Sequence, residues 1–337
     1  MPVFGGWLRN ADDEKMEATW DYVKKLAVRS EDLGFDLSLI AELNLNDIKG
    51  EAAPSLDAWS TAAALAAVTH RQELMIAVRP TFHNPALLAK QAANIDHISG
   101  GRLSLNVVSS WWRDEATKYG VGFEMHDDRY ARTAEWLAVL NGVWQQDGFN
   151  FEGKYYKVAN NTLQPKPISK PRPAIYAGGE SETAKDLISS TCDGYVMHGD
   201  EPETIGKRIR DMKERREKKG LPPMTYGVAA YSVIRDNEAD VKKELARITD
   251  VQPGSAGYNN YQQWLAGTQL EQKVSLEDYS VSNRGLRSGL AGTPAQVADR
   301  IGAFERQGVD FFLLQCSPQL EEMERFAEAI IQKVQYA

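Results

Sequence analysis

The chain has 337 residues, a formal net charge of −8 and 42% hydrophobic residues, enough apolar content for one large domain with a substantial core. The acidic balance gives no electrostatic attraction to nucleic acid. No uninterrupted apolar run approaches the ~20 residues of a membrane-spanning helix.

The opening MPVFGGWLRNADDEK lacks the basic-then-apolar pattern of a leader. The two cysteines, Cys192 and Cys316, are far apart and fall at predicted strand edges. They read as buried free thiols in a reducing compartment, so a cytoplasmic location is expected.

Runs of apolar and β-branched residues predict strands at 3–8, 36–41, 74–79, 103–108, 174–177, 194–198, 226–234 and 311–316. Helical patterns lie between most of them, at 15–33, 57–69, 85–98, 129–146, 182–190, 202–219 and 294–307. Alternating strands and helices with continuous apolar strands imply a parallel sheet under an outer layer of helices. About eight such units predict a (β/α)8 TIM barrel formed by residues 1–337 as one domain. An open doubly wound sheet is the rival, but GGWLRN after the first strand does not match its glycine-rich dinucleotide turn. The basic run KERREKK at 213–219 is interrupted by glutamates and reads as a solvated helix face.

Two stretches interrupt the alternation. Residues 147–173 are rich in aromatic, Gly and Pro residues, which suggests a hairpin excursion. Residues 251–289 carry few apolar periodicities and follow the seventh predicted strand, so they are expected to form a mobile lid over the active-site face.

Barrel chemistry gathers at the C-terminal ends of strands. Those ends present Arg79, Asn106, the run Gly178-Gly179-Glu180-Ser181, and His198. The stretch 74–130 is the richest: two apolar strands joined by a helix, then a charged, aromatic loop and the cluster His126, Asp127, Asp128, Arg129, Tyr130. AGGESETAKDL admits two readings. Its glycines and helix start suit an anionic group such as phosphate, or they form an ordinary turn with a Ser cap.

The five histidines (70, 83, 97, 126 and 198) are not paired at metal-binding spacing, and HExxH, CxxC, GxSxG and P-loop motifs are absent. His97 reads as structural, while His126 and His198 fall at predicted rims where either role is open. A barrel without these motifs points to a bound organic cofactor.

The segments ALLAKQAANIDHISGGRLSLNVVSSW, HDDRY, KPISKPRPAIYAGGES and GTPAQVADRI occur in that order along the whole chain. With them the sequence resembles the bacterial luciferase-like flavin-dependent monooxygenases, in the branch of alkanesulfonate and dimethylsulfone monooxygenases and pyrimidine-ring-opening enzymes. The resemblance implies FMN, used as FMNH2 with O2, and a separate NAD(P)H-dependent flavin reductase as partner. It also implies a homo-oligomer, dimer or tetramer. By position it implies that Ile40 and Ala41 line the flavin and that Asn106 lies by its ring and the oxygen site. Glu115, Arg129, Tyr130, Gly178, Gly179 and Ser181 would contact the cofactor, Ser181 at the phosphate.

On the substrate side the match is looser. Arg79 matches the alkanesulfonate enzymes, and Arg284 or Arg287 falls near a lid arginine of theirs; guanidinium suits a tetrahedral oxyanion. Other positions depart: Ala229 and Tyr231 stand where those enzymes place arginine and histidine, His198 where they place tryptophan, and Ser317 and Gln319 where they place tyrosine and histidine. The resemblance therefore implies oxidative C–S cleavage of a small organosulfur substrate, an alkanesulfonate or sulfone, with Asn106, Arg79, Arg284, Arg287, His198 and Tyr231 as candidate catalytic residues. The same chemistry on a C–N bond, or a non-catalytic flavin-binding protein, stay open.

Overall fold

Seven short strands, each followed by at least one helix, carry the architecture. The computed structural model describes residues 16–109, 112–123, 125–267, 274–281 and 284–334. In chain order the strands are β1 (Leu37–Ile40), β2 (Glu73–Val78), β3 (Leu103–Val107), a hairpin of β4 (Phe149–Glu152) and β5 (Lys157–Asn161), β6 (Ala174–Ala177), β7 (Gly194–Met197), β8 (Thr225–Tyr231), β9 (Val233–Ile234), β10 (Ala291–Gly292) and β11 (Phe311–Gln315). One parallel sheet runs β1-β2-β3-β6-β7-β8-β11. These are seven of the eight predicted strands; the first, at 3–8, lies outside the described residues.

The sheet is curled into a barrel. Tyr176 of β6 and Phe311 of β11 are separated by two strands, yet their rings meet edge-on with centroids 5.7 Å apart. Glycine makes the crossing possible, because a Cβ at Gly194 would strike the Tyr176 ring and one at Gly227 the Phe311 ring. Side chains alternate along each strand. Leu74, Ile76, Val78, Leu105, Val107, Ile175, Ala177, Val228 and Ala230 face outward into the main core against the helices. Full burial of each large aliphatic there contributes about 1.5–3 kcal/mol.

The helices are α1 (Trp20–Asp32), α2 (Ala58–Val68), α3 (Pro85–Ser99), α4 (Arg113–Lys118), α5 (His126–Gln145), α6 (Glu182–Thr191), α7 (Pro202–Lys218), α8 (Glu238–Ile248), α9 (Ala256–Gly267), α10 (Leu276–Ser280), α11 (Pro294–Gln307) and α12 (Gln319–Phe326). Local sequence sets their ends. Asn84 caps α3 by accepting from Ala86 N–H at 3.0 Å and Leu87 N–H at 3.2 Å, Pro85 opens the helix, and Gly100 closes it at φ 69°. Leu26, Leu33, Met323 and Ala327 join α1 to the α12 end, so the two edges of the sheet are brought together. No helix among the described residues is long and apolar enough to cross a membrane.

Three expectations change. Within 251–289, where little periodicity was read, the described residues include α9, α10 and a short turn of 3-10 helix at Gly285–Ser288. The reason is aromatic packing, with Tyr261 and Trp264 against Tyr279 at 5.1 and 5.0 Å, plus a reciprocal Ser275–Asp278 cap. The run 213–219 is not wholly solvated, because Arg216 is buried and donates to the carbonyls of Pro222, Ser189 and Cys192. Helix α5 starts at His126, three residues before the expected 129, so all of HDDRY lies at its beginning. The hairpin within 147–173 forms as expected, and both cysteines are buried and free.

Candidate active site

Strand alternation puts Leu39, Ala77, Asn106, Tyr176, Val196, Ala229 and Leu313 on the inner wall of the barrel. The inner wall is mostly apolar. Asn106 is a polar residue among these, flanked in register by Ala77 and Tyr176. Its Oδ1 is buried and has no hydrogen-bond partner. A buried amide oxygen without a partner costs about 1–3 kcal/mol unless something else satisfies it. Ile40 is buried among the outer core residues, and Ala41 follows it at the strand end.

Beside Asn106 the ends of β3 and β6 meet the first turns of α5 and α6. Ser181 is the N-cap of α6, accepting from Ala184 N–H at 3.2 Å. The Tyr130 hydroxyl is hydrogen-bonded to it, and burial raises the Tyr130 pKa. The Arg129 Nε donates to Ser109 O at 3.3 Å, and its guanidinium lies 4.7 Å from the Phe123 ring centre. Val107, Ser109, Tyr130, Thr133 and Gly178 line a small cleft here. The glycines are required by packing: a Cβ at Gly178 would lie 2.7 Å from Val196 O, and one at Gly179 2.6 Å from the Ala184 Cβ and 3.1 Å from the Tyr130 hydroxyl. The structure thus shows the turn and Ser cap of AGGES, at a helix start whose dipole would suit an anion.

Arg79, expected to face an anionic substrate, is instead enclosed. It is 2% exposed. Its backbone N–H donates to Glu42 Oε2 at 2.8 Å, Nη2 donates to Glu115 Oε1 at 3.1 Å, and Nη1 pairs with Glu115 Oε2. Glu42 also accepts from Trp59 Nε1 at 3.1 Å and meets His83 Nε2 at 2.6 Å. Glu115 accepts from Asn44 N–H at 2.6 Å as well. Two carboxylates surround one guanidinium, and the physical reason for the correction is that buried charge must be paired. Glu115, expected to touch the cofactor, is completely buried as the Arg79 counter-ion.

A second charged group forms at the ends of β6 and β7. Arg284 is 2% exposed and takes the left-handed backbone conformation at φ 54°. Its Nη2 pairs with Glu180 Oε1 and lies 2.8 Å from His198 Nδ1. Its Nε and Nη1 are buried without a hydrogen-bond partner. Arg208 pairs with Asp200 at 3.1 Å and approaches Glu180 at 4.0 Å. Burial pushes His198 down to about 4, helped by the Arg208 charge, so its ring is neutral near pH 7. Burial also lowers Arg284 to about 10, with the Arg287 charge adding to it, and it stays protonated.

The remaining candidates separate from this group. Arg287 is held by Asp278 of α10, at 2.9 Å from Nε and 2.6 Å from Nη2. Tyr231, expected at the mouth, packs instead with Val233, Val241, Ile248 and Val281 in a small core under α8, its hydroxyl buried. The cause is that β8 ends at Tyr231 and the chain turns away into β9, which pairs with β10. The side chains of His126 and Asp127, and residues Ser110 and Trp111, lie outside the described residues. Sequence reasoning places Glu42 and Glu180 at strand ends but gives neither a role. Each lies within three residues of its strand's end, so the signal was an acidic residue near a buried arginine. Helix α9 bonds to the segments that follow β3 and β1, through Trp112 Nε1 to Gln263 at 3.3 Å and Asn260 Nδ2 to Asp47 O at 2.8 Å.

A parallel barrel with a partner-free polar atom at its mouth and an anion-suited helix start beside it defines a cofactor-binding barrel enzyme. The chain belongs to the luciferase-like monooxygenase family, whose pattern it matches over residues 3–310. It is 32% identical over 336 residues to the FMNH2-dependent dimethylsulfone monooxygenase of Pseudomonas putida, covering 98% of this chain and 92% of that one. Among solved structures it resembles a riboflavin lyase, crystallised with modified FMN and riboflavin, at TM-score 0.84 and 19% identity, covering 99% of this chain and 89% of that one. It also resembles the EDTA monooxygenase of Chelativorans sp. BNC1 at TM-score 0.77 and 21% identity, covering 99% and 92%. Those two likenesses bear on the fold.

Proposed function

We propose that this protein is an FMNH2- and O2-dependent monooxygenase that cleaves a C–S bond of a small neutral sulfone, with reduced flavin delivered by a separate NAD(P)H-dependent reductase. The observation that carries the substrate choice is the enclosure of Arg79 by Glu42 and Glu115, so that Arg79 is not a free cation that could hold a sulfonate. The similarity to dimethylsulfone monooxygenases supports the same direction.

The residues fit a flavin mononucleotide. Ser181, Tyr130 and the first N–H groups of α6 would hold its phosphate, and Arg129 would add positive charge nearby. Asn106, whose Oδ1 lacks a protein partner, would bond the ring system. When bound, reduced FMN supplies the electrons that activate O2. The apolar wall of Leu39, Ala77, Val196, Ala229 and Leu313 excludes water from the reacting centre. Residues 251–289 act as the cover, held by the Trp112–Gln263 and Asn260–Asp47 contacts when closed.

For dimethylsulfone the balance is sulfone plus O2 plus FMNH2 giving methanesulfinate, formaldehyde, water and FMN. The test supplies FMN, NADH and a flavin reductase and measures sulfinate and formaldehyde. Turnover of methanesulfonate with no reaction on the sulfone would reverse the substrate assignment. Incorporation of labelled oxygen into an amine or heterocycle, without C–S cleavage, would favour the C–N alternative.

A further inference from the structure

We infer that Glu180 sets the charge selectivity of this site: by pairing with Arg284 it lets the mouth hold a neutral sulfonyl group and reject a sulfonate anion. The inference rests on the sulfone reading and adds to it a residue and a physical cause.

Among the described residues, the charges of the cluster are paired. Arg284 is offset by Glu180, Arg208 by Asp200, and Arg287 by Asp278. Across the mouth Arg79 faces two carboxylates, Glu42 and Glu115. His198 is neutral near pH 7. The two walls together offer an anion no net attraction, and moving a sulfonate out of water against them is unfavourable.

A sulfone carries two partially negative oxygens and no net charge, so it needs donors rather than a cation. The cluster has them. Arg284 Nε and Nη1 are N–H donors with no partner. His198 adds a third: its Nδ1 lies 2.8 Å from Arg284 Nη2 and 3.3 Å from Glu180 Oε1, and because a guanidinium can only donate, the shorter contact makes Nδ1 the acceptor and puts the ring proton on Nε2. His198 is also the more open member of the cluster, at 33% side-chain exposure. Glu180 therefore has two effects: it cancels the charge of Arg284, and it occupies Nη2 so that the other donors stay directed elsewhere.

The experiment is calorimetric titration of the FMN-loaded protein with dimethylsulfone and with methanesulfonate, for the wild type, Glu180→Gln and Glu180→Gln/Arg284→Gln. The wild type should prefer the sulfone. Glu180→Gln should bind methanesulfonate about tenfold or more tightly than the wild type, with the sulfone changed less than about threefold. The double variant should lose the gain. A wild type that prefers methanesulfonate overturns the inference, as does a Glu180→Gln protein whose two affinities move together. If Glu180→Gln does not fold, ring-nitrogen NMR of His198 in the wild type decides: a proton on Nδ1 overturns the donor arrangement. Absence of sulfone turnover in the wild type would count against the proposed reaction, whereas unchanged discrimination in Glu180→Gln would count against Glu180 alone.

Discussion

Arg79 and Arg284 are equally buried, each 2% exposed, yet they are opposite in kind. Arg79 follows a strand, has carboxylates on Nε, Nη1 and Nη2, and rests 4.2 Å from the Phe82 ring centre. Arg284 is held in a left-handed turn with only Nη2 engaged and two N–H groups unpaired. Burial of a cation is thus not by itself a sign of function. The completeness of its partners separates a scaffold ion pair from a group waiting for a ligand.

The comparison breaks most sharply at Arg79. Arg79→Met leaves Glu42 and Glu115 buried side by side, and urea denaturation should show a loss of about 3–5 kcal/mol. If stability barely changed, Arg79 would not be the structural member of the pair. Arg284→Met should show the reverse balance. Its stability loss should be smaller, about 1–3 kcal/mol, while sulfone turnover falls by about a hundredfold or more.

Asn106 extends the contrast to a neutral group. Because its Oδ1 bonds nothing in the protein, Asn106→Ala should cost about 1 kcal/mol or less in a thermal melt. Turnover with reduced FMN should nevertheless drop at least about tenfold. Ser181→Ala should weaken FMN binding by about 1 kcal/mol in a fluorescence titration and shorten α6 slightly through loss of its cap.

The smallest effect concerns pH. His198 has its folded pKa lowered to about 4 from an ordinary 6.5. Between those values the unfolded chain binds more protons than the folded one, so stability falls as pH drops from about 6.5 toward 4 and is level above it. His198→Gln should flatten that part of the stability–pH curve. An unchanged slope would mean that His198 is solvated and ordinary.

Strand and helix positions were legible because they depend on short-range rules. Apolar runs located six observed strands within a residue or two, while 226–234 divides into β8 and β9 at Ser232, and Asn84-Pro85 with Gly100 bounded α3. The site was legible where a side chain's role follows from its place on a strand, as for Asn106 and Ser181. It was not legible where partners come from distant segments. Arg79 sits 36 residues from Glu115, and Arg284 lies 104 residues from Glu180. A guanidinium reads the same in sequence whether or not a carboxylate will meet it. The helices of 251–289 were missed for a related reason: their periodicity is carried by Tyr261, Trp264 and Leu265, and their stability by contacts with Tyr279.

Two glycines hold the Arg284 corner to the barrel. A Cβ on Gly199 would collide with the Arg284 carbonyl and lie 2.9 Å from Ala229 O, and one on Gly285 would lie 2.7 Å from the Tyr231 nitrogen. For protein engineering this makes the corner a fixed post. Libraries that vary positions 199 or 285 should yield mostly inactive or unfolded clones, because backbone there has nowhere to retreat. Variation at 180 and 198 leaves the post standing, so new specificities should be recovered from those two codons.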